Sequence, residues 1–187
     1  MHVIQAIQER RAFRSLAPVK ITKELVEELA KSVQLSPSCF NSQPWRLVFV
    51  SNPGILEKMF FALTEGNAWA RSASLIIAVF SRQDDDCVIR DRVYHQFDTG
   101  MGIGFLLLRA TELGLVAHPI AGFSPKKTRA LLRIPDDYQV ITLIIVGRHA
   151  DSPGSDLTEE QLQKEKKRPG RKALEEFLYI DRFGSRS

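Results

Sequence analysis

Much is missing from this sequence, and each absence removes a class of function. Only two cysteines occur, Cys39 and Cys87, and their spacing makes no motif. Two thiols with no leading signal peptide point to a reducing cytoplasm and away from a disulfide scaffold. A lone cysteine without a placed base is expected to be inert, so Cys39 is not read as a reactive thiol. His2, His95, His118 and His149 are far apart, and none has a Cys, Asp or second His at metal-ligand spacing. No metal is expected. Asp84 to Asp86 could attract a hard cation, but a solvated acidic loop is the simpler reading. Long apolar runs are absent too. The run at Phe105 to Leu108 stops at Arg109, short of a membrane span, so no membrane is expected.

Charge of one sign is not in large excess. Lys plus Arg number 26 against 22 acids, a net of +4, and the basic residues form no stripe with interleaved aromatics. That favours small anionic ligands and no nucleic acid. Gly100, Gly102 and Gly104 lack the G-x-G-x-x-G spacing and fall inside a helical pattern, where small residues permit close helix packing. Gly122 to Lys126 is not a G-x-S-x-G nucleophile elbow. There are no internal repeats.

The 187 residues, 44% of them hydrophobic, suit one domain with a real core. A helix is predicted over residues 3–13, closed by Arg10, Arg11 and Arg14. A second is predicted from Lys23 to about Val33 with Thr22 as N-cap. The strand Arg46 to Ser51 is apolar on both faces and reads as central. Asn52-Pro53 starts a helix to about Leu63. Ser74 to Phe80 and Val140 to Val146 read as buried strands. The longest helix is expected over about 90–113, with Gly114 just past its end. Its apolar stretch from Met101 to Leu108 demands burial on all sides, and a subunit interface is one way to provide it. Residues 118–127 read as a loop, leading into a short helix capped at Ser124-Pro125. Residues 151–172 read as a polar surface arm, followed by apolar residues that need something to pack against. Helices and short strands in alternation give an α/β or α+β class.

Two clusters carry chemistry. Arg10 and Arg14 share a helix face on this reading, with Arg11 offset from it. Three guanidiniums at one helix end are either a solvated basic end with ion pairs or an anion site, because Arg grips phosphate oxygens bidentately. Arg168, Arg171 and Lys172 form a second basic cluster that could converge on the same phosphate. SPSCFNSQPWRLVFV, residues 36–50, crowds amide and hydroxyl groups at the mouth of a strand. A plain turn needs only one or two such residues.

These segments resemble the flavin-dependent nitroreductase family. Arg10 to Arg14 (RRAFR) resembles its R-R-S-x-R motif, and residues 36–50 its S-x-x-N-x-Q-P-W-x-F strand entry. Gly66 to Trp69 followed by ASLIIAV, the long central helix, HPIAGF, and Arg171 to Glu175 are similar to further family segments in the family's order.

The resemblance implies an α+β fold with a central, mostly antiparallel sheet flanked by helices. It implies an interlocked homodimer with FMN at the interface and a single FMN-binding domain over residues 1–187. By the same resemblance Arg10, Arg11, Ala12, Arg14 and Arg171 would hold FMN, the arginines at its phosphate and ribityl chain. Ser38, Cys39 and Asn41 would reach the flavin from the partner subunit. Asn67 would meet the pyrimidine edge or ribityl chain. The backbone of Pro119, Ile120, Ala121 and Gly122 would lie along the ring, with the Gly122 amide reaching N5. Phe40 and Trp69 are candidate liners of the substrate pocket, or else packing residues, and Tyr94 is read as packing.

Ala12 stands where the family has Ser, which removes one side-chain hydrogen bond to FMN. Cys39-Phe40 replaces smaller polar residues and would narrow the pocket, and Ala173 replaces Pro. The implied activity is cytoplasmic, ping-pong electron transfer from NADH or NADPH to a small nitroaromatic, quinone or related acceptor, with FMN rather than a protein residue carrying the chemistry. Alternatives are a dehalogenase or flavin-fragmenting relative, and a non-enzymatic flavin-storage protein.

Overall fold

A computed structural model describes residues 1–154 and 156–185. Ser155, within the expected polar arm, and Arg186 and Ser187 at the end of the expected domain lie outside the described residues. The fold is built on one sheet with two layers of helices. Its axis is β7 (Gln139–His149), antiparallel to every strand it touches. β3 (Leu75–Ser81) lies along one side, with Ile77 opposite Ile144. β6 (Val116–Ile120) lies along the other, with His118 opposite Ile145. The two-residue β1 (Leu16–Ala17) continues that side against His149 and Arg148. β2 (Arg46–Val50) pairs only with β3. The class is α+β, with every strand pair among the described residues antiparallel.

The strands split their side chains between two cores. On one face Ile76, Ala78, Leu143 and Ile145 pack with α3 (Pro53–Phe60), α5 (Pro125–Leu132) and Trp69. On the other, Leu75, Ile77, Ile144 and Val146 pack with α2 (Lys23–Gln34) and α4 (His95–Glu112). All seven residues of β3 are buried, as a strand covered on both sides requires. β2 is apolar on both faces for the same reason, since Leu47 and Phe49 face one core and Val48 and Val50 the other. It is an edge strand, not the central one expected. Apolarity on both faces reports two covering layers, whether or not the strand has two neighbours.

The helix ends follow local chemistry. The Thr22 hydroxyl accepts from the Leu25 amide at 3.2 Å, and Asn52 Oδ1 from the Ile55 amide at 3.2 Å. Helix α4 ends in a Schellman motif. The Leu115 amide donates to the Ala110 carbonyl, the Gly114 amide donates to Thr111, and Gly114 sits at φ 71°. Within α4, Gly102 is needed for space, because a Cβ there would stand 2.9 Å from Val33 Cγ1 of α2.

Four further expectations change. The first helix, α1 (Val3–Glu9), stops before the arginines, so Arg10 to Arg14 run as irregular chain and share no helix face. α4 begins at His95, and the residues before it form a small hairpin, β4 (Val88–Ile89) with β5 (Arg92–Val93). His118, Pro119 and Ile120 belong to β6, not to a loop. The polar arm contains a helix, α6 (Glu159–Lys166), started by a Thr158–Gln161 capping box. After it, Leu174, Phe177, Leu178 and Ile180 are exposed among the described residues.

Leu143 is 0% exposed at the centre of β7. Leu143→Ala should cost about 2–5 kcal/mol in urea unfolding, through lost burial and a cavity the rigid sheet cannot close. The exposed Glu57→Ala should change stability by less than about 0.5 kcal/mol.

Candidate functional site

The arginines converge, although by a different route from a shared helix face. Arg10, Arg11, Ala12, Arg14, Arg168 and Arg171 line one cavity of 150 Å³, with Lys164 and Pro169 completing its wall. Two of the five guanidiniums are committed to backbone. Arg11 Nη2 donates to the carbonyls of Lys164 and Glu165 at 3.0 and 2.9 Å, at the end of α6. Arg168 returns the arrangement by donating to Gln8 O at 2.5 Å and Arg10 O at 2.6 Å, at the end of α1. Each arginine caps carbonyls that a helix end leaves unpaired, where the helix dipole also favours a cation.

Arg10, Arg14 and Arg171 have no such commitment, apart from Arg171 touching the neighbouring carbonyls of Pro169 and Gly170. Elsewhere arginines meet carboxylates: Arg82 reaches Asp85, and Arg109 reaches Glu28, both at 2.7 Å. Among the described residues no arginine lining this cavity has a carboxylate within 4.0 Å. Glu165, the carboxylate the arm brings in, is spent on the backbone amides of Arg14 (2.7 Å) and Ser15 (3.4 Å). Burial, with the charges of Arg168 and Arg171, pulls the Arg10 pKa below its ordinary value. By charge and by size the cavity suits an anion, with room for a phosphate group.

A chain of contacts joins this loop to the second half of the site. His118 Nδ1 lies 3.0 Å from the Phe13 carbonyl, which can only accept, so Nδ1 carries the proton. The His118 ring stacks on Trp69 at 4.7 Å, and the Arg14 guanidinium stands 5.9 Å above Trp69. Trp69 Nε1 donates to Asn67 Oδ1 at 3.2 Å, and Asn67 Nδ2 donates to the Gly122 carbonyl at 2.9 Å. The Thr64 amide and hydroxyl both donate to that carbonyl at 3.0 Å. A Cβ on Gly122 would stand 2.3 Å from Asn67 Nδ2 and 2.5 Å from Thr64 Oγ1, so this position requires glycine. The Gly122 amide has no backbone acceptor among the described residues. In this segment Ile120 is buried, Pro119 and Gly122 are half-buried and Ala121 is exposed.

Two expectations are corrected here. Trp69 is 1% exposed and belongs to the core. It is the floor under Arg14 and a spacer to Asn67, not a pocket liner. Cys39 and Cys87 are not free thiols, because their sulfurs are bonded to each other across 48 residues, with Cα atoms 6.2 Å apart. Their wide sequence spacing hid the pair.

Ser38, Cys39 and Asn41 do not line the arginine cavity of their own chain. They lie on the loop into β2. Phe40, Asn41 and Gln43 there adopt left-handed φ values of 48°, 59° and 50°, each costing on the order of 1 kcal/mol in a non-glycine residue. Phe40 is 83% exposed. Tyr94 meets Phe97 edge-on at 6.3 Å, in keeping with a packing role. Sequence reasoning missed His118, Thr64 and Glu165. Among the described residues no group of three His, Cys, Asp or Glu could hold a metal ion, and no helix is long and apolar enough to cross a membrane.

Known proteins share this fold. The model of the nitroreductase family matches residues 7–68 and 62–148. A solved structure described as an oxidoreductase containing FMN superposes with a TM-score of 0.85 and 26% identity, covering 97% of this chain and 92% of that one. A nitroreductase family protein from Clostridium difficile shares the fold with a TM-score of 0.78 and 24% identity, covering 98% of this chain and 100% of that one. An NADH dehydrogenase of Thermus thermophilus is 25% identical over 78% of this chain and 86% of its own length. An iodotyrosine deiodinase of Haliscomenobacter hydrossis is 27% identical over 79% of each chain. Fold, site and relatives define an oxidoreductase. More particularly, this chain belongs to the nitroreductase family.

Burial, and to a lesser degree the charges of Arg14 and Arg10, depress the His118 pKa to about 4, although the Phe13 carbonyl works in the other direction. The folded chain therefore keeps His118 neutral where the unfolded chain, near 6.5, takes up a proton. Its contribution is whole above pH 6.5 and is lost as pH falls towards 4. Wild type should lose more thermal stability than His118→Gln between pH 7 and pH 4, a difference of roughly 2–3 kcal/mol at the acid end. Parallel Tm profiles for the two proteins would contradict this.

Proposed function

We propose that this chain is an FMN-dependent NAD(P)H oxidoreductase that passes electrons by a ping-pong route to nitroaromatic, quinone or related small acceptors. One observation carries the reading: Arg10, Arg14 and Arg171 converge on a phosphate-sized cavity, and among the described residues none of them has a carboxylate within 4.0 Å. That donor set suits the FMN phosphate. Arg11 and Arg168 brace the site and do not bind the ligand directly. Asn67 stands where it can meet the ribityl chain or pyrimidine edge. The Gly122 amide is free to donate to N5, and a donor there favours reduced flavin.

Bound FMN would supply the redox chemistry: a hydride in from NAD(P)H, and electrons out to the acceptor once the nicotinamide has left. The protein's part is to anchor the phosphate, fix the ring against rigid backbone and leave the opposite side open. No side chain is given an acid–base role.

The 150 Å³ cavity takes the phosphate alone, so the ring needs further walls. Those walls come from a second copy of the chain, whose Ser38, Cys39 and Asn41 would face the ring, with Phe40 over the substrate side. Each chain acts as one FMN-binding domain. The homodimer is favoured by the uncovered apolar surface on α1 (Val3, Ile4, Ile7), on α4 (Phe97, Phe105) and in the C-terminal tail. A cytoplasmic setting is proposed because NAD(P)H is supplied there.

The first test is a visible spectrum of the purified protein, before and after anaerobic NADPH and then NADH. Flavin bands that bleach are expected, while a colourless protein that takes up no added FMN would overturn the reading. Arg14→Ala and Arg171→Ala should each weaken FMN binding about 10- to 100-fold, the worth of one charged hydrogen-bonding group. Unchanged affinity in both, by flavin fluorescence titration, would sink the assignment. Sedimentation at micromolar concentration should give a dimer, and a monomer that still holds FMN tightly would remove the proposed partner wall.

A further inference from the structure

The loop from Ser38 to Gln43 is held in a conformation its sequence does not prefer. Phe40, Asn41 and Gln43 are all left-handed, and none is glycine. Local bonds oppose relaxation. The Ser42 hydroxyl donates to the Cys39 carbonyl at 2.7 Å, and the Gln43 amide donates to Ser38 Oγ at 3.0 Å. A covalent restraint is added by the bond from Cys39 to Cys87, just ahead of the β4–β5 hairpin.

Each cysteine is also tethered through its own amide. Cys39 N–H donates to Asp98 Oδ2 at 2.6 Å, and Cys87 N–H to Oδ1 of its own neighbour Asp86 at 2.7 Å, whose carboxyl in turn stands beside Asp98 and Ser42 and so places both cysteines against one anchor. Asp98 is 1% exposed on α4, a rigid anchor. These tethers do not depend on the sulfur–sulfur bond. They would keep the two sulfurs near each other after it opens, so that it can form again. Both cysteines are half-buried, which leaves the bridge within partial reach of small thiols. Bridges that restrain strained backbone and are not sealed in the core are the labile and regulatory kind, not the structural kind.

We propose that Cys39–Cys87 is a reversible thiol–disulfide site that takes dithiols as its reductant, and that its reduction releases the 38–43 loop from its left-handed conformation. A thiolate of the dithiol attacks one sulfur of the bridge. The Cys39–Cys87 bond breaks, a mixed disulfide forms, and the departing sulfur takes a proton. The second thiol of the reductant then displaces the mixed disulfide. Two electrons and two protons pass from the dithiol to the bridge, leaving two protein thiols and a cyclic oxidised dithiol. The consequence for catalysis rests on the function proposed above, in which this loop walls the flavin of the partner subunit. Opening the bridge would loosen that wall.

The test is read on the whole folded protein, without reference to flavin. Protein oxidised in air is equilibrated in mixtures of reduced and oxidised dithiothreitol, quenched with N-ethylmaleimide and weighed intact. Amide hydrogen exchange is followed in parallel. Expected are no alkylation before reduction, two alkyl groups after millimolar dithiothreitol in native buffer, and return to none on reoxidation. Exchange at residues 38–43 should quicken at least about tenfold on reduction, with β3 and β7 unchanged. Cys87→Ser should show the fast exchange with no reductant present. A bridge reduced only once the protein unfolds would overturn the proposal, as would thiols that alkylate after air oxidation, or loop exchange that is equal in the two states. Protein that reduces and loosens as expected yet binds no FMN would leave this site standing and defeat the functional reading instead.

Discussion

Positive charge without a negative partner is the constraint on which the rest of the structure depends. Five guanidiniums around one small cavity repel one another, and the chain offers them carbonyls where it could have offered carboxylates. A carbonyl holds an arginine in place without neutralising it. The pocket therefore stays positive, and its remaining arginines stay available to an anion. A carboxylate at the same place would have strengthened the fold and closed the site. The arm does bring one in, Glu165, and turns it to backbone amides.

The helices and strands around this loop work as supports. His118 on β6 fixes the Phe13 carbonyl, Trp69 fills the space beneath Arg14, and Asn67 passes the position on to Gly122. The two halves of the site lie far apart in sequence but share one packed path. Only the middle of that path is apolar core, and its two ends are hydrogen bonds to carbonyls. Such a path transmits geometry well, because neither a stacked Trp–His pair nor a bonded carbonyl has much freedom to shift.

Much of the fold was legible from local rules. Thr22, Asn52 and Ser124 start their helices as their chemistry requires, and Gly114 ends α4. The motif residues at Arg10, Arg14, Asn67 and Gly122 were also in view. What escaped was decided by distant contacts. The helix predicted over residues 3–13 ends at Glu9 because Arg168 and α6 give the next residues other partners. β2 looked central because two layers cover it. The pairing of Cys39 with Cys87 depends on the hairpin before α4, which no periodicity announced. Trp69 carried a motif signal and a core signal at once, and burial chose the second.

The clasp between Arg11 and α6, and between Arg168 and α1, also imposes an order of events. Its halves lie about as far apart as this chain allows, with the arginine loop near residue 10 and its counterpart beyond residue 163. On the ribosome the sheet strands all emerge before the arm does. The arginine pocket thus closes only after every strand of the sheet has been made. Until then Arg11 lacks the carbonyls that hold it, and a protein stalled at that stage would carry a finished core with half a pocket.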